Sequence, residues 1–179
     1  EPAAIKYTTA PKRPEFLRAE LHHFVVDGVK YYACVGFFGN QTQPFEIFVG
    51  TNETKKEIFI PKSIKAGKVQ KKGSRKYSFI GDDGEEYELL NGHSNDTIEA
   101  LTRLLSLSLR HGVPLHFAIE QLQKASGPIT AFTKVLFRAL KRYVPNDTKS
   151  SSTCPACGEK LIYTEGCKKC QSCGFSGCS

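Results

Sequence analysis

Between Arg18 and Leu90 apolar and polar residues alternate in short runs, the pattern of strands with one face in a core; from Asp96 the spacing lengthens to that of helices. "RAELHHFVV" and "VKYYACVGFF" flank Asp27-Gly28, a dipeptide that favours a tight hairpin turn. "PFEIFVG" (Pro44–Gly50) and "KEIFIP" (Lys56–Pro61) extend the strand pattern. "RKYSFIG" and "EEYELL" bracket a second turn at Asp82-Asp83-Gly84. The first half of the chain therefore reads as an antiparallel sheet.

Ile98, Leu101, Leu105 and Leu109 then fall on one helical face, widened by Leu104, with candidate caps at Ser94 to Asp96 and a stop at Arg110-His111-Gly112. Pro114 opens a second helix with Phe117, Ala118, Ile119 and Leu122 apolar, closed by Gly127-Pro128. A third runs from Ile129 to about Val144, with Lys141 and Arg142 suited to its C-terminal dipole. Strands followed by helices predict an α+β fold. Residues 1–15, with Pro2, Pro11 and Pro14 and no periodicity, read as a linker, 16–144 as the α+β domain, and "PNDTKSSST" (145–153) as a mobile tether to a small module at 154–179.

Composition adds bounds. The 179 residues are 40% hydrophobic and 24% charged, ordinary for a globular chain and unlike a disordered one. No apolar run approaches the roughly 20 residues of a membrane span, and "EPAAIKYTTAPKRPEF" lacks a secretory core, so the expectation is a cytosolic protein with no membrane partner. The net charge of +7 points to an acidic partner, nucleic acid included. Nine of the basic residues crowd Lys55–Lys76, which reads either as a lysine-rich strand or loop guarding a sheet edge or as a phosphate-contacting patch. His22 and His23 point to opposite faces of a strand and the other histidines sit near turns; all five read as structural, and Cys34 as a small buried hydrophobe.

Six of the seven cysteines lie between Cys154 and Cys178. Cys154-Pro-Ala-Cys157-Gly and Cys170-Gln-Ser-Cys173-Gly share one form, two thiols and a glycine that lets the backbone turn about a metal, and together predict a zinc ribbon. "KLIY" and "CKK" would form a hairpin about Thr164-Glu165-Gly166. A unit of about 25 residues buries too little apolar surface to fold unaided, so ligation would supply most of its stability. With Cys154, Cys157, Cys170 and Cys173 as ligands, Cys167 and Cys178 are left for dithiol–disulfide chemistry, and Lys168 and Lys169 would favour a Cys167 thiolate. Spacing leaves a second partition open: Cys154, Cys157, Cys167 and Cys170 as ligands, with Cys173 and Cys178 as the redox pair.

"TTAPKRPEFL", "QPFEIFVG", "ALTRLLSLSLRHGVPLHFAIEQLQK" and "STCPACGEKLIYTEGCKKCQSCGFSGC" together resemble the C-terminal region of adenosylcobalamin-dependent (class II) ribonucleotide reductases, nearly end to end. The resemblance implies an accessory part or split subunit whose tail carries reducing equivalents from a thioredoxin- or glutaredoxin-type donor to an active-site disulfide. That disulfide, the adenosylcobalamin and the nucleotide chemistry would belong to a catalytic barrel absent from this chain. The shuttling pair would be Cys167 with Cys178, or Cys173 with Cys178. The competing reading is a nucleic-acid-binding zinc-ribbon protein, in which the basic segment contacts phosphates and the extra cysteines are unnecessary.

Overall fold

The computed structural model describes residues 9–51, 60–89, 96–124 and 130–178. Most of the strand expected at Lys56–Pro61, Lys55 of the basic segment, the caps at Ser94 and Asn95, the Ile98 side chain and the Gly127-Pro128 stop lie outside the described residues, as does the start of the linker.

Six strands, β1 (Phe16–Val26), β2 (Val29–Phe37), β3 (Glu46–Thr51), β4 (Ala66–Gly73), β5 (Lys76–Gly81) and β6 (Glu86–Leu89), form one antiparallel sheet in the order β3-β2-β1-β4-β5-β6. The β1–β2 turn places Asp27 at φ 51° and Gly28 at φ 80°, the mirror-image turn whose twist matches its strands. The sheet curls: Phe48 on β3 and Tyr77 on β5 bring their rings within 5.0 Å, although three strands separate them in sheet order.

The curl gives β2 two buried faces, which is why its sequence reads as nearly continuous apolar residues. Tyr32 and Cys34 point into a core closed by Ala19, Leu21, Val69, Phe79 and Leu89. Tyr31, Ala33, Val35 and Phe37 point the other way, onto α1 (Asp96–Arg110), α2 (Leu115–Lys124) and α3 (Thr130–Leu140), with Leu109, Ile119, Val135 and Leu136 buried between. α1 ends as expected: Gly112 at φ 76° lets the Val113 and Gly112 amides return to the Ser108 and Leu109 carbonyls. α3 stops earlier than its periodicity suggests and continues as a 3-10 turn over Lys141–Tyr143.

Three expectations need correction. The lysine-rich β4 is an interior strand, hydrogen-bonded to β1 and β5, so it guards no edge. Only Val69 is buried on it, and its lysines project outward. The outer edge of β3 is covered by α1, where the Ser106 hydroxyl accepts from the Ile47 amide (3.1 Å) and donates to the Ile47 carbonyl (3.3 Å). The linker is anchored at its end: Arg13 makes a bidentate pair with the fully buried Glu46 (2.7 and 2.9 Å), whose second cation is Arg110 at 3.0 Å. And Lys149–Thr153, inside the stretch read as a mobile tether, forms β7.

Candidate metal and disulfide centre

Strand β7 joins β8 (Lys160–Thr164), β9 (Cys167–Lys169) and β10 (Ser176–Gly177) in a second sheet ordered β10-β9-β8-β7. Glu165 and Gly166, at φ 52° and 76°, turn β8 into β9 as a two-residue hairpin. Two knuckles project from this sheet with matching hydrogen bonds. The Cys154 amide donates to the Glu159 carbonyl (2.7 Å) and the Gly158 amide to Cys154 (2.9 Å); the Cys170 amide donates to Phe175 (2.8 Å) and Gly174 to Cys170 (3.1 Å). Gly158 and Gly174 adopt φ 80° and 75°, which only glycine takes freely.

The knuckles face one another. The sulfurs of Cys154, Cys157, Cys170 and Cys173 all lie within 4.8 Å of one another, with Cys154 to Cys173 at 3.5 Å and Cys157 to Cys170 at 3.4 Å. Tetrahedral Zn–S bonds of about 2.3 Å require S···S separations of about 3.8 Å, inside that range. Four cysteines are thus positioned to hold a metal ion, and an all-sulfur tetrahedron fits zinc. The Cys173 amide and the Cys157 hydrogen bond outweigh desolvation at Cys170 and bring its thiol down to about 7. The Glu159 amide draws Cys157 down, but its bond to Cys170, desolvation and the two other sulfurs push it up to about 12.

Cys167 and Cys178 stand apart from the cluster. β9 and β10 pair Lys169 with Ser176 and Lys168 with Gly177, so one further step along the antiparallel register sets Cys167 opposite Cys178. They form a disulfide with Cα atoms 4.9 Å apart. Cys178 is exposed at its outer end and Cys167 is half-buried on β9. Cys173, the other candidate partner of Cys178, lies with the four-sulfur cluster.

The ribbon is docked on the α+β body through groups that the sequence reading passed over. Glu120 on α2 is only 2% exposed and accepts from the Ser150 hydroxyl (2.8 Å), the Ser151 amide (3.0 Å) and hydroxyl (2.5 Å), and the Tyr163 hydroxyl (3.2 Å). Burial pushes the Glu120 carboxyl up, but the Ser151 and Ser150 bonds and nearby Lys168 outweigh it and hold the group at about 2. Tyr163 itself is 1% exposed and belongs to the body's core, while the Glu165 amide donates to Asn146 Oδ1 at 2.8 Å. Lys168, expected to activate Cys167, is turned the other way: its ammonium donates to Ser152 Oγ at 2.9 Å and lies 3.9 Å from Glu120. Consecutive strand residues face opposite sides, which leaves Lys169 on the Cys167 side.

Where the β8–β9 turn meets the 3-10 turn, a Cβ on Gly166 would lie 3.0 Å from the Lys141 carbonyl. Beside it, Arg142 donates to His22 Nδ1 (2.8 Å). A guanidinium cannot accept, so the His22 proton sits on Nε2, which donates to the Tyr143 hydroxyl (2.6 Å); Tyr143 donates to Glu20 (2.5 Å). Burial first and Arg142 second lower His22 to about 4, so it is neutral at pH 7.

The family described as NrdJ homologue C-terminal domain matches residues 17–145. No curated protein and no solved structure matches the chain. Among the described residues no helix is long and apolar enough to cross a membrane.

Proposed function

We propose, from the premise that this chain belongs to the NrdJ homologue C-terminal domain family and so to a C-terminal region related to class II ribonucleotide reductase, that its ribbon is the redox relay of such an enzyme. The observation that supports this most is the separation of labour among the tail cysteines: four converge as a metal site, while Cys167 and Cys178 pair on the strands beside it. A structural zinc ribbon needs only the first set.

The chemistry is two successive exchanges. A thioredoxin- or glutaredoxin-type dithiol reduces the Cys167–Cys178 disulfide, becoming a disulfide itself as two electrons and two protons pass to the pair. The Cys178 thiolate, at the exposed outer end, then attacks a sulfur of the disulfide left in the catalytic barrel by a turnover, displacing one barrel thiolate and forming a mixed disulfide. Cys167 attacks Cys178, releases the second barrel thiolate and restores the starting bond. The zinc would supply the fold that holds Cys167 beside Cys178, and it takes no part in electron transfer. Adenosylcobalamin chemistry is assigned to the barrel alone, whether that part is a separate subunit or attached, and no residue of this chain is given to it.

For the relay to reach a barrel, the ribbon must leave its dock on Glu120, and Pro145 to Thr148 would be the hinge once β7 releases. The test combines the catalytic barrel of a class II reductase with this chain and a thioredoxin-type donor. Multiple turnovers are expected with the native chain, and a single turnover with Cys178→Ser or Cys167→Ser. Equal multiple turnover by all three would refute the relay.

A further inference from the structure

A groove of about 600 Å³ opens between α1 and the β4–β5 hairpin, outside the ribbon and unused by the relay. We propose that it is a docking site for a short acidic peptide segment carrying an aliphatic anchor.

Its charge is lopsided. Lys71, Arg75, Arg103 and Arg110 line it against the single carboxylate of Glu99. Arg103 is paired with Glu99 at 3.3 Å, and Arg110 with the buried Glu46. The Lys71 ammonium and the Arg75 guanidinium have no ion pair or side-chain hydrogen bond among the described residues, and both face the groove as its available cations. Arg75 is held at φ 61° in the hairpin turn.

The apolar part of the groove is aliphatic and open: Leu104 is 61% and Leu107 49% exposed, on a helix whose Leu105 and Leu109 are buried against the body. The two aromatic rings at the site, Phe48 and Tyr77, pack on each other at 5.0 Å, and Tyr77 also carries the Arg13 guanidinium. Rings so engaged make a poor platform for nucleobases, whereas exposed leucines suit a peptide side chain. Arg103 and Arg110 are two helical turns apart, about 10 Å, which spans about three residues of extended peptide. A second copy of this chain fits less well, because both would carry +7. The site is independent of the redox reading and stands or falls separately.

The test is an amide-shift titration of the isotope-labelled, zinc-loaded full chain. The probe is a short synthetic peptide of glutamates and aspartates with paired leucines. Controls are the same peptide with serines for leucines and oligothymidylate of equal charge. We expect shifts confined to α1, β3 and the β4–β5 hairpin. Binding should weaken at least about tenfold for the serine peptide, and as much in Lys71→Glu/Arg75→Glu and in Leu104→Ser/Leu107→Ser. Binding of the serine peptide as tight as that of the leucine peptide would reduce the site to diffuse charge and overturn the proposal. So would tighter oligothymidylate binding at the same residues, or no shift in the groove. The native chain with the two peptides decides the question even if a variant fails to fold.

Discussion

Replacing Glu120 by Gln tests whether the ribbon is held to the body by one buried carboxylate. The substitution keeps the side chain's shape, removes its charge and leaves one acceptor oxygen where two now serve Ser150, Ser151 and Tyr163. Two routes to the magnitude agree. The carboxyl is held at about 2 against an ordinary 4.5, and a difference of about 2.5 units corresponds to about 3 kcal/mol favouring the ionised form in the fold. Independently, hydrogen bonds to a charged group contribute about 1.5–3 kcal/mol each, and the amide forfeits at least one while placing its own N–H groups against hydroxyl and ammonium donors. Glu120→Gln should therefore lose about 3 kcal/mol and lower Tm by about 6–12 °C for a chain of this length. Calorimetry at pH 7 gives the stability, and amide exchange at Ser151 and Tyr163 shows where it is lost. The sign with pH follows. Because the folded value lies below the unfolded one, the contribution is complete above about pH 4.5 and disappears as pH falls towards 2, and the variant should lack that loss. A change under about 0.5 kcal/mol with β7 still protected would refute the idea that this carboxylate is the dock.

His22 gives a second pH effect at a different range: its folded value near 4 lies below the unfolded 6.5, so stability is unaffected above pH 6.5 and falls by up to about 3 kcal/mol as pH drops to 4. Urea unfolding at pH 7 and 4.5 should show a smaller difference for His22→Gln than for the native chain. Gly166→Ala should cost about 1–3 kcal/mol, since φ 76° strains any other residue and the new Cβ meets the Lys141 carbonyl; thermal unfolding measures it. Stripping metal with a zinc chelator should unprotect β8 and β9 amides while Leu21 and Val35 in the body keep theirs, and Cys154→Ser should fail to retain one zinc per chain by native mass spectrometry.

Much of the body was legible because its signals are local. Asp27-Gly28 specifies a turn on its own, the four-residue spacing of α1 and its Gly112 stop need no distant partner, and the repeated Cys-x-x-Cys-Gly form is enough for a zinc-ribbon-like tail. The failures are long-range. β4 holds one buried apolar residue and is a strand because β1 and β5 flank it, which alternation cannot reveal. "KSSST" has the composition of a linker and becomes a strand because a carboxylate about 30 residues earlier accepts from two of its serines. Glu120, next to Ile119 on α2, is the one available hint, an acid beside an inward apolar position. Which cysteines pair outside the metal site depends on the β9–β10 register, and spacing alone leaves both partitions open.

The most direct test of the relay is cysteine alkylation mapped by mass spectrometry on zinc-loaded chain, before and after reduction by a catalytic amount of thioredoxin with its reductase. The account predicts that Cys167 and Cys178 alone become labelled on reduction while zinc stays bound and Cys154, Cys157, Cys170 and Cys173 remain protected. Labelling of Cys173 with Cys178, uniform labelling of all six, or no reduction of the pair would contradict it.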